Sequence, residues 1–89
     1  MLKLKEGFVL RNVAGENVVL PTGDELDLNM MISLNEPGRL LWERLERDAC
    51  AEELEELLLQ EYEVGIEQAR TDVERFLARL RENGLLEEE

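Results

Sequence analysis

Apolar and polar residues follow two different periods along this chain. From Phe8 to Leu34 the apolar positions fall in short runs, "FVLRNV" (8–13), "NVVLP" (17–21) and "MMISL" (30–34). Such runs suit strands. From Leu40 onward they recur every three or four residues, the spacing of one helix face. The first two runs are separated by "AGE" and predict a hairpin. Pro21 cannot donate to a ladder and closes the second strand. "TGDELDLN" (22–29) reads as a turn-rich connection, in which Leu26 and Leu28 either form a small extra strand or pin the loop.

The third run passes into "NEPG" with no linker. Asn35 suits a helix N-cap, and Pro37 suits the first turn, where a missing N–H removes no bond. A first helix is expected to about Arg47, with Leu40, Leu41, Trp42 and Leu45 as its apolar set. A second, from about 50 to 62, carries Leu54, Leu57, Leu58 and Tyr62 and begins on a poor cap, Cys50 or Asp48. The third, about 66 to 83, has the stripe Ile66, Ala69, Val73, Phe76, Leu77 and Leu80. Gly84 ends it as a glycine C-cap, with Leu85 folding back on the last turn. The terminal "EEE" (87–89) reads as a frayed tail. Three strands followed by three helices define an α+β fold. The first two helices alone resemble a helix-turn-helix, so the arrangement is winged-helix-like.

The chain has 89 residues, which predicts one domain over 1–89. Aromatic residues are 4% of a 44% hydrophobic content, so Leu, Val and Ile must build the core. Ten basic against 22 acidic residues give a net charge of −12. That charge repels nucleic acid, whose binding depends on Lys and Arg neutralising phosphates, and it disfavours anionic membranes. One cysteine allows no intrachain disulfide. With no apolar signal region and no run near the ~20 residues of a membrane span, the expected location is cytoplasmic.

Histidine is absent, which removes the commonest general base and metal ligand. No zinc pattern or glycine-rich phosphate loop occurs, so neither a metal nor another cofactor is expected. Adjacent acids such as Glu52–Glu53 and Glu55–Glu56 read as a solvated face rather than a catalytic pair. Cys50 is either a reactive thiol at a helix start or a small stand-in cap. Trp42 is either a stacking platform or core. Arg70, Arg75, Arg79 and Arg81 leave two readings open. They pair with Asp72, Glu74 and Glu82 on an exposed face, at a few tenths of ~1 kcal/mol per pair. Alternatively, some line a groove beside the third strand and hold an acidic peptide by charge-assisted hydrogen bonds.

The stretches "GFVLRNVAGENVVLP", "ISLNEPGRLLWERLE" and "EELLLQEYEVGIEQARTDVERFLARLRENGLL" together resemble the PqqD family. These are coenzyme PQQ synthesis protein D-like peptide chaperones, also called RiPP recognition elements. The most specific parts are "SLNEPGRLLW" and "DVERFLARLRENGLL". The resemblance implies a three-stranded antiparallel sheet packed on three helices and no catalysis. It implies capture of the leader segment of a ribosomally made precursor peptide and its delivery to a modifying enzyme, often a radical SAM protein. The leader would add as a strand to the free edge of the third strand, in a cleft against the third helix.

Carried onto this chain, the groove would use Met30, Met31, Ile32, Ser33 and Leu34, with Asp72, Arg75, Phe76 and Arg79 from the third helix. A one-residue register slip exchanges the two faces of the strand. An unpaired edge offers its N–H and C=O groups to another chain, and "MMISL" has no charge or proline to guard it. Three features depart from the family: Pro37 where Thr is frequent, the poor cap at Cys50, and the long "TGDELDLN" connection. A winged-helix DNA regulator would need a basic recognition helix, which "EELEELLLQEYE" does not supply. A small structural subunit or homodimer, pairing edge to edge, is the third possibility.

Overall fold

The computed structural model describes residues 1–22 and 31–88. Eight elements follow in order: β1 (Leu2–Leu4), β2 (Phe8–Val13), β3 (Glu16–Pro21), β4 (Ile32–Leu34), α1 (Glu36–Leu45), α2 (Ala51–Glu61), α3 (Ile66–Glu82) and β5 (Leu86–Glu88). Strands β2, β3 and β4 form a three-stranded antiparallel sheet in that order, so the α+β reading of the sequence holds. From Gly23 to Met30 the connecting segment lies outside the described residues, and the reading of Leu26 and Leu28 goes with it.

The hairpin is tighter than the sequence reading, because Glu16 already pairs with Val13. Its two-residue loop, Ala14 and Gly15, has φ of 53° and 85°. Two consecutive positive φ values match the right-handed twist of the flanking strands. Beyond Pro21 the ladder gains one more bond, from the Thr22 N–H to the Gly7 carbonyl at 2.8 Å.

β4 pairs with β3 through Asn17 opposite Leu34, Val18 opposite Ser33 and Val19 opposite Ile32. Its ladder starts at Ile32, not at Met30; Met31 precedes it and is exposed, and Met30 lies outside the described residues. Ile32 and Leu34 are buried while Ser33 faces solvent, the alternation of a strand with one covered face. Asn35 then caps α1, its Oδ1 accepting the Gly38 N–H at 2.9 Å. Gly38 leaves little room for a side chain: a Cβ there would lie 3.0 Å from Asn35 Oδ1 and 3.4 Å from Leu34 Cβ. The strand therefore enters the helix through a close approach that only glycine fills without displacement.

The core joins Val19, Ile32 and Leu34 of the sheet to Leu41, Trp42 and Leu45 of α1, Leu54 and Leu58 of α2, and Ala69, Val73, Phe76, Leu77 and Leu80 of α3. Burying each Val, Leu, Ile or Phe side chain among these stabilises by roughly 1.5–3 kcal/mol. Trp42 is core, at 2% exposure. Ile66 does not join its stripe and is 56% exposed, so the buried face of α3 begins at Ala69. α1 also ends earlier than expected, at Leu45.

The chain ends correct the sequence reading most. Leu86–Glu88 is a strand, not a frayed tail: it pairs antiparallel with Leu2–Leu4, Leu4 lying opposite Leu86. Glu87 contacts Lys3 at 3.8 Å, and Glu88 forms an ion pair with Arg81. On its other side β1 bridges the corner between α1 and α2, where Leu2 and Ala49 exchange N–H···O=C bonds of 2.7 and 3.1 Å. Gly84, at φ 69°, makes the turn into β5. The Leu85 N–H reaches back to the Leu80 carbonyl at 2.8 Å and the Gly84 N–H to that of Arg81 at 3.1 Å, the paired bonds of a Schellman cap.

Candidate peptide-docking groove

Two neighbouring hollows flank the C-terminal end of β4. The first, about 250 Å³, is lined by Leu34, Asn35, Pro37, Gly38 and Leu41 on one side and by Asp72, Arg75, Phe76 and Arg79 of α3 on the other. The second, about 450 Å³, continues past Ser33 and Leu34 to Gly15, Glu16, Asn17 and Glu36, again with Arg79 on its wall. Arg79 thus belongs to both, and together they form one groove from the hairpin tip to the first turn of α1. Residues 72, 75, 76 and 79 lie on adjacent turns of one helix face. That common face is why all four reach the groove.

All four α3 residues named from the sequence line the groove, as do Ser33 and Leu34. Leu34 and Phe76 form apolar floor, 7% and 8% exposed. Ile32 turns its side chain into the core at 5% exposure, leaving only its backbone at the edge. Met31 lines neither hollow. No described strand pairs with the outer edge of β4. Sequence reading missed Asn35, Pro37, Gly38 and Leu41 in the first hollow and Gly15, Glu16, Asn17 and Glu36 in the second. The sequence signal was the Pro–Gly pair just inside the helix start, since a helix opening without side-chain bulk lets a cleft form beside it.

The charges around the groove are unevenly engaged. Glu36 accepts from Arg39 and, at 3.3 Å, from Asn17 Nδ2. The Arg39 bond first, then the Asn17 bond, hold its carboxyl below the ordinary range. Asp72 accepts from Gln68 at 2.8 Å. Among the described residues none of the four α3 arginines pairs with Asp72, Glu74 or Glu82, the partners that the sequence suggested. Arg70 pairs at 3.5 Å with Glu55 of α2, and Arg81 pairs with Glu88 of β5. Arg75 and Arg79 have no ion-pair partner among the described residues.

Cys50, the other candidate for chemistry, lies away from the groove at the start of α2. Its N–H donates to Glu53 Oε1 at 3.1 Å, and Glu53 also accepts from Arg44 at 2.6 Å. The Cys50 bond closes a capping box that mends the poor cap, and the Arg44 bond staples α1 to α2. The Glu53 N–H draws the thiol pKa down, but the Glu53 carboxylate, burial and Glu52 together outweigh it, and the thiol sits above its ordinary value. A thiol pushed upward is a poor nucleophile at neutral pH. Among the described residues no cluster of three or more His, Cys, Asp or Glu side chains is arranged to hold a metal, and no helix is long and apolar enough to cross a membrane.

A larger hollow, about 920 Å³, lies elsewhere, between β1, β2 and α1. Its walls mix Lys3, Lys5 and Arg11 with Glu6, Glu43, Glu46, Asp48 and Glu87. It adjoins β2, with Trp42, Glu43, Leu45 and Glu46 of α1 on its wall.

A three-stranded antiparallel sheet whose edge strand β4 borders a groove walled by α3 defines a small winged-helix-like α+β protein. The family described as coenzyme PQQ synthesis protein D (PqqD) matches residues 16–86, and the chain belongs to it. Among solved structures, the chain is similar to "TbiB1 in Complex with the TbiA(beta) Leader Peptide", at 25% identity and a TM-score of 0.78, covering 98% of this chain and 96% of that one. It shares the fold of "Lasso peptide synthetase B1 complexed with the leader peptide", at 23% identity and a TM-score of 0.75, covering 98% of both chains. No curated protein matches the sequence.

Proposed function

We propose that this protein is a non-catalytic chaperone that captures the leader segment of a ribosomally made precursor peptide and presents it to a modifying enzyme of the radical SAM class. The leader adds as a further strand to the outer edge of β4 and lays side chains into the groove against α3. The observation that carries this is the β4 edge itself: held in register by β3 on one side, continued directly into α1, and with no described strand on its other side, where a groove with an apolar floor lies. Main-chain pairing supplies affinity there, and the groove selects side chains. Membership of the PqqD family and the leader peptides named in the two similar structures support the reading.

Binding to DNA finds no support in α2, the second helix of the helix-turn-helix-like pair. α2 carries Glu52, Glu53, Glu55, Glu56 and Glu61 without one Lys or Arg, and would repel a phosphate backbone.

The test is a titration with the leader of a precursor peptide encoded beside this chain, followed by solution mass and by Trp42 emission. Trp42 lines the hollow near β1 and β2 but not the β4 groove. The expected result is a one-to-one complex with Trp42 emission unchanged. A mass that doubles with concentration and ignores the peptide would assign the edge to a homodimer. A complex with strongly shifted Trp42 emission would move docking to the other hollow.

A further inference from the structure

Arg75 and Arg79 stand one helical turn apart on the wall of the groove. The chain has 22 acidic residues against ten basic ones, so an arginine on a helix rarely lacks an acid within reach. On α3 the outer arginines, Arg70 and Arg81, have found theirs. The two inner ones have none among the described residues, and both are exposed. Like charges at i and i+4 repel and weaken a helix. Two carboxylates that line the groove are already engaged: Asp72 is bonded to Gln68, and Glu36 to Arg39 and Asn17. Two cations side by side on one wall of the groove, unpaired among the described residues, make a site for an anion supplied from outside.

The spacing defines that anion further. Four residues of helix advance about 6 Å along the axis. On an extended peptide, side chains on one face recur every two residues, at roughly 6.8 Å. We propose that the groove selects a leader segment bearing two carboxylates at alternate positions, Glu-x-Glu or Asp-x-Asp in pattern, each taken by one guanidinium while the apolar residues beside them rest on Leu34 and Phe76. This deepens the docking reading above and rests on it. Arginine suits the task, since its planar fork bonds a carboxylate through two N–H groups at once. A peptide with lysines at those positions meets two like charges and is excluded, so the same pair rejects wrong partners as well as holding right ones.

The test uses three synthetic peptides of about ten residues, long enough to span the edge, identical except for Glu-x-Glu, Gln-x-Gln or Lys-x-Lys at the centre. Each is titrated into labelled protein, and the β4 amide shifts and the affinity are read together. Variants Arg75→Gln and Arg79→Gln, singly and combined, change exposed side chains and leave the core intact. At low salt the Glu peptide is expected to bind about tenfold tighter than the Gln peptide, with the Lys peptide weaker still. The preference should shrink as salt rises and vanish in the double variant. Equal affinities with β4 shifts present would overturn this inference and leave the docking reading standing. Absence of β4 shifts with every peptide would overturn both.

Discussion

Asn17 Nδ2 donates to Glu36 Oε1 across 3.3 Å, tying the tip of the hairpin to the first turn of α1. Asn17 also stands opposite Leu34 in the ladder. The junction between β4 and α1 is thus held from both sides, by this bond and by the Asn35 cap on the Gly38 N–H. Replacing Asn35 with Ala removes the cap and leaves the Gly38 N–H without its partner. The expected loss is about 1 kcal/mol of stability by urea denaturation. Because Asn35 also lines the groove, peptide affinity should fall with it.

The hairpin loop offers a change in the opposite direction. Ala14 sits at φ 53°, where a Cβ is disfavoured and where two-residue loops of this kind prefer Asn followed by Gly. Ala14→Asn should raise stability by about 0.5–1 kcal/mol, read as a shift of the denaturation midpoint at constant slope. A loss of stability would mean that the loop adopts another turn.

The staple between α1 and α2 should be visible in the pH dependence. The Cys50 thiol, then the Cys50 N–H, and then Arg44 hold the Glu53 carboxyl below the ordinary range. A carboxylate with a lowered folded pKa contributes stability above its unfolded value, near 4.3. That contribution disappears as pH falls through the lower folded value. Glu53→Gln should therefore be less stable than the parent at pH 7, and the gap should close on acidification. Denaturation curves of the two proteins at matched pH measure the gap directly, and the general repulsion among the other acids largely cancels between them.

The second, two-stranded sheet carries a prediction about the chain end. Leu86 is 9% exposed and belongs to the core cluster. Leu86→Ala should cost roughly 2 kcal/mol, at the lower end for core leucines because the site is not fully enclosed. A frayed tail would tolerate the change at no cost. Thermal denaturation decides between them.

That same sheet marks where the sequence was hard to read. Strands β2 and β3 were legible because local signals agree: β-branched runs, a short glycine turn and a terminal proline. The helices were legible from period and caps, down to the backward bond of Leu85. β1 and β5 have three residues each, too few to display a period, and they pair across almost the whole length of the chain. Nothing local announces such a partner, and "EEE" by composition argues for solvent. Ile66 followed the stripe yet sits in the first turn of α3, where the helix overhangs its neighbours. In the groove, α3 was legible because one helix face fixes which residues travel together. The strand side was less so: Ile32 and Leu34 point one way and Ser33 the other, and only pairing with β3 sets which is which. Gly38 was legible as a boundary but not as groove lining, because its role depends on how closely Leu34 approaches.

The central claim concerns the backbone of β4, so the decisive measurement is amide hydrogen exchange at Ile32, Ser33 and Leu34, with and without the leader peptide. In an antiparallel ladder a strand directs its N–H groups alternately to its two neighbours. The account predicts that the β4 amides not already bonded to β3 exchange rapidly in the free protein and become protected in the complex, while those of β2 are unchanged. A leader that binds without slowing exchange at any β4 amide would contradict strand addition.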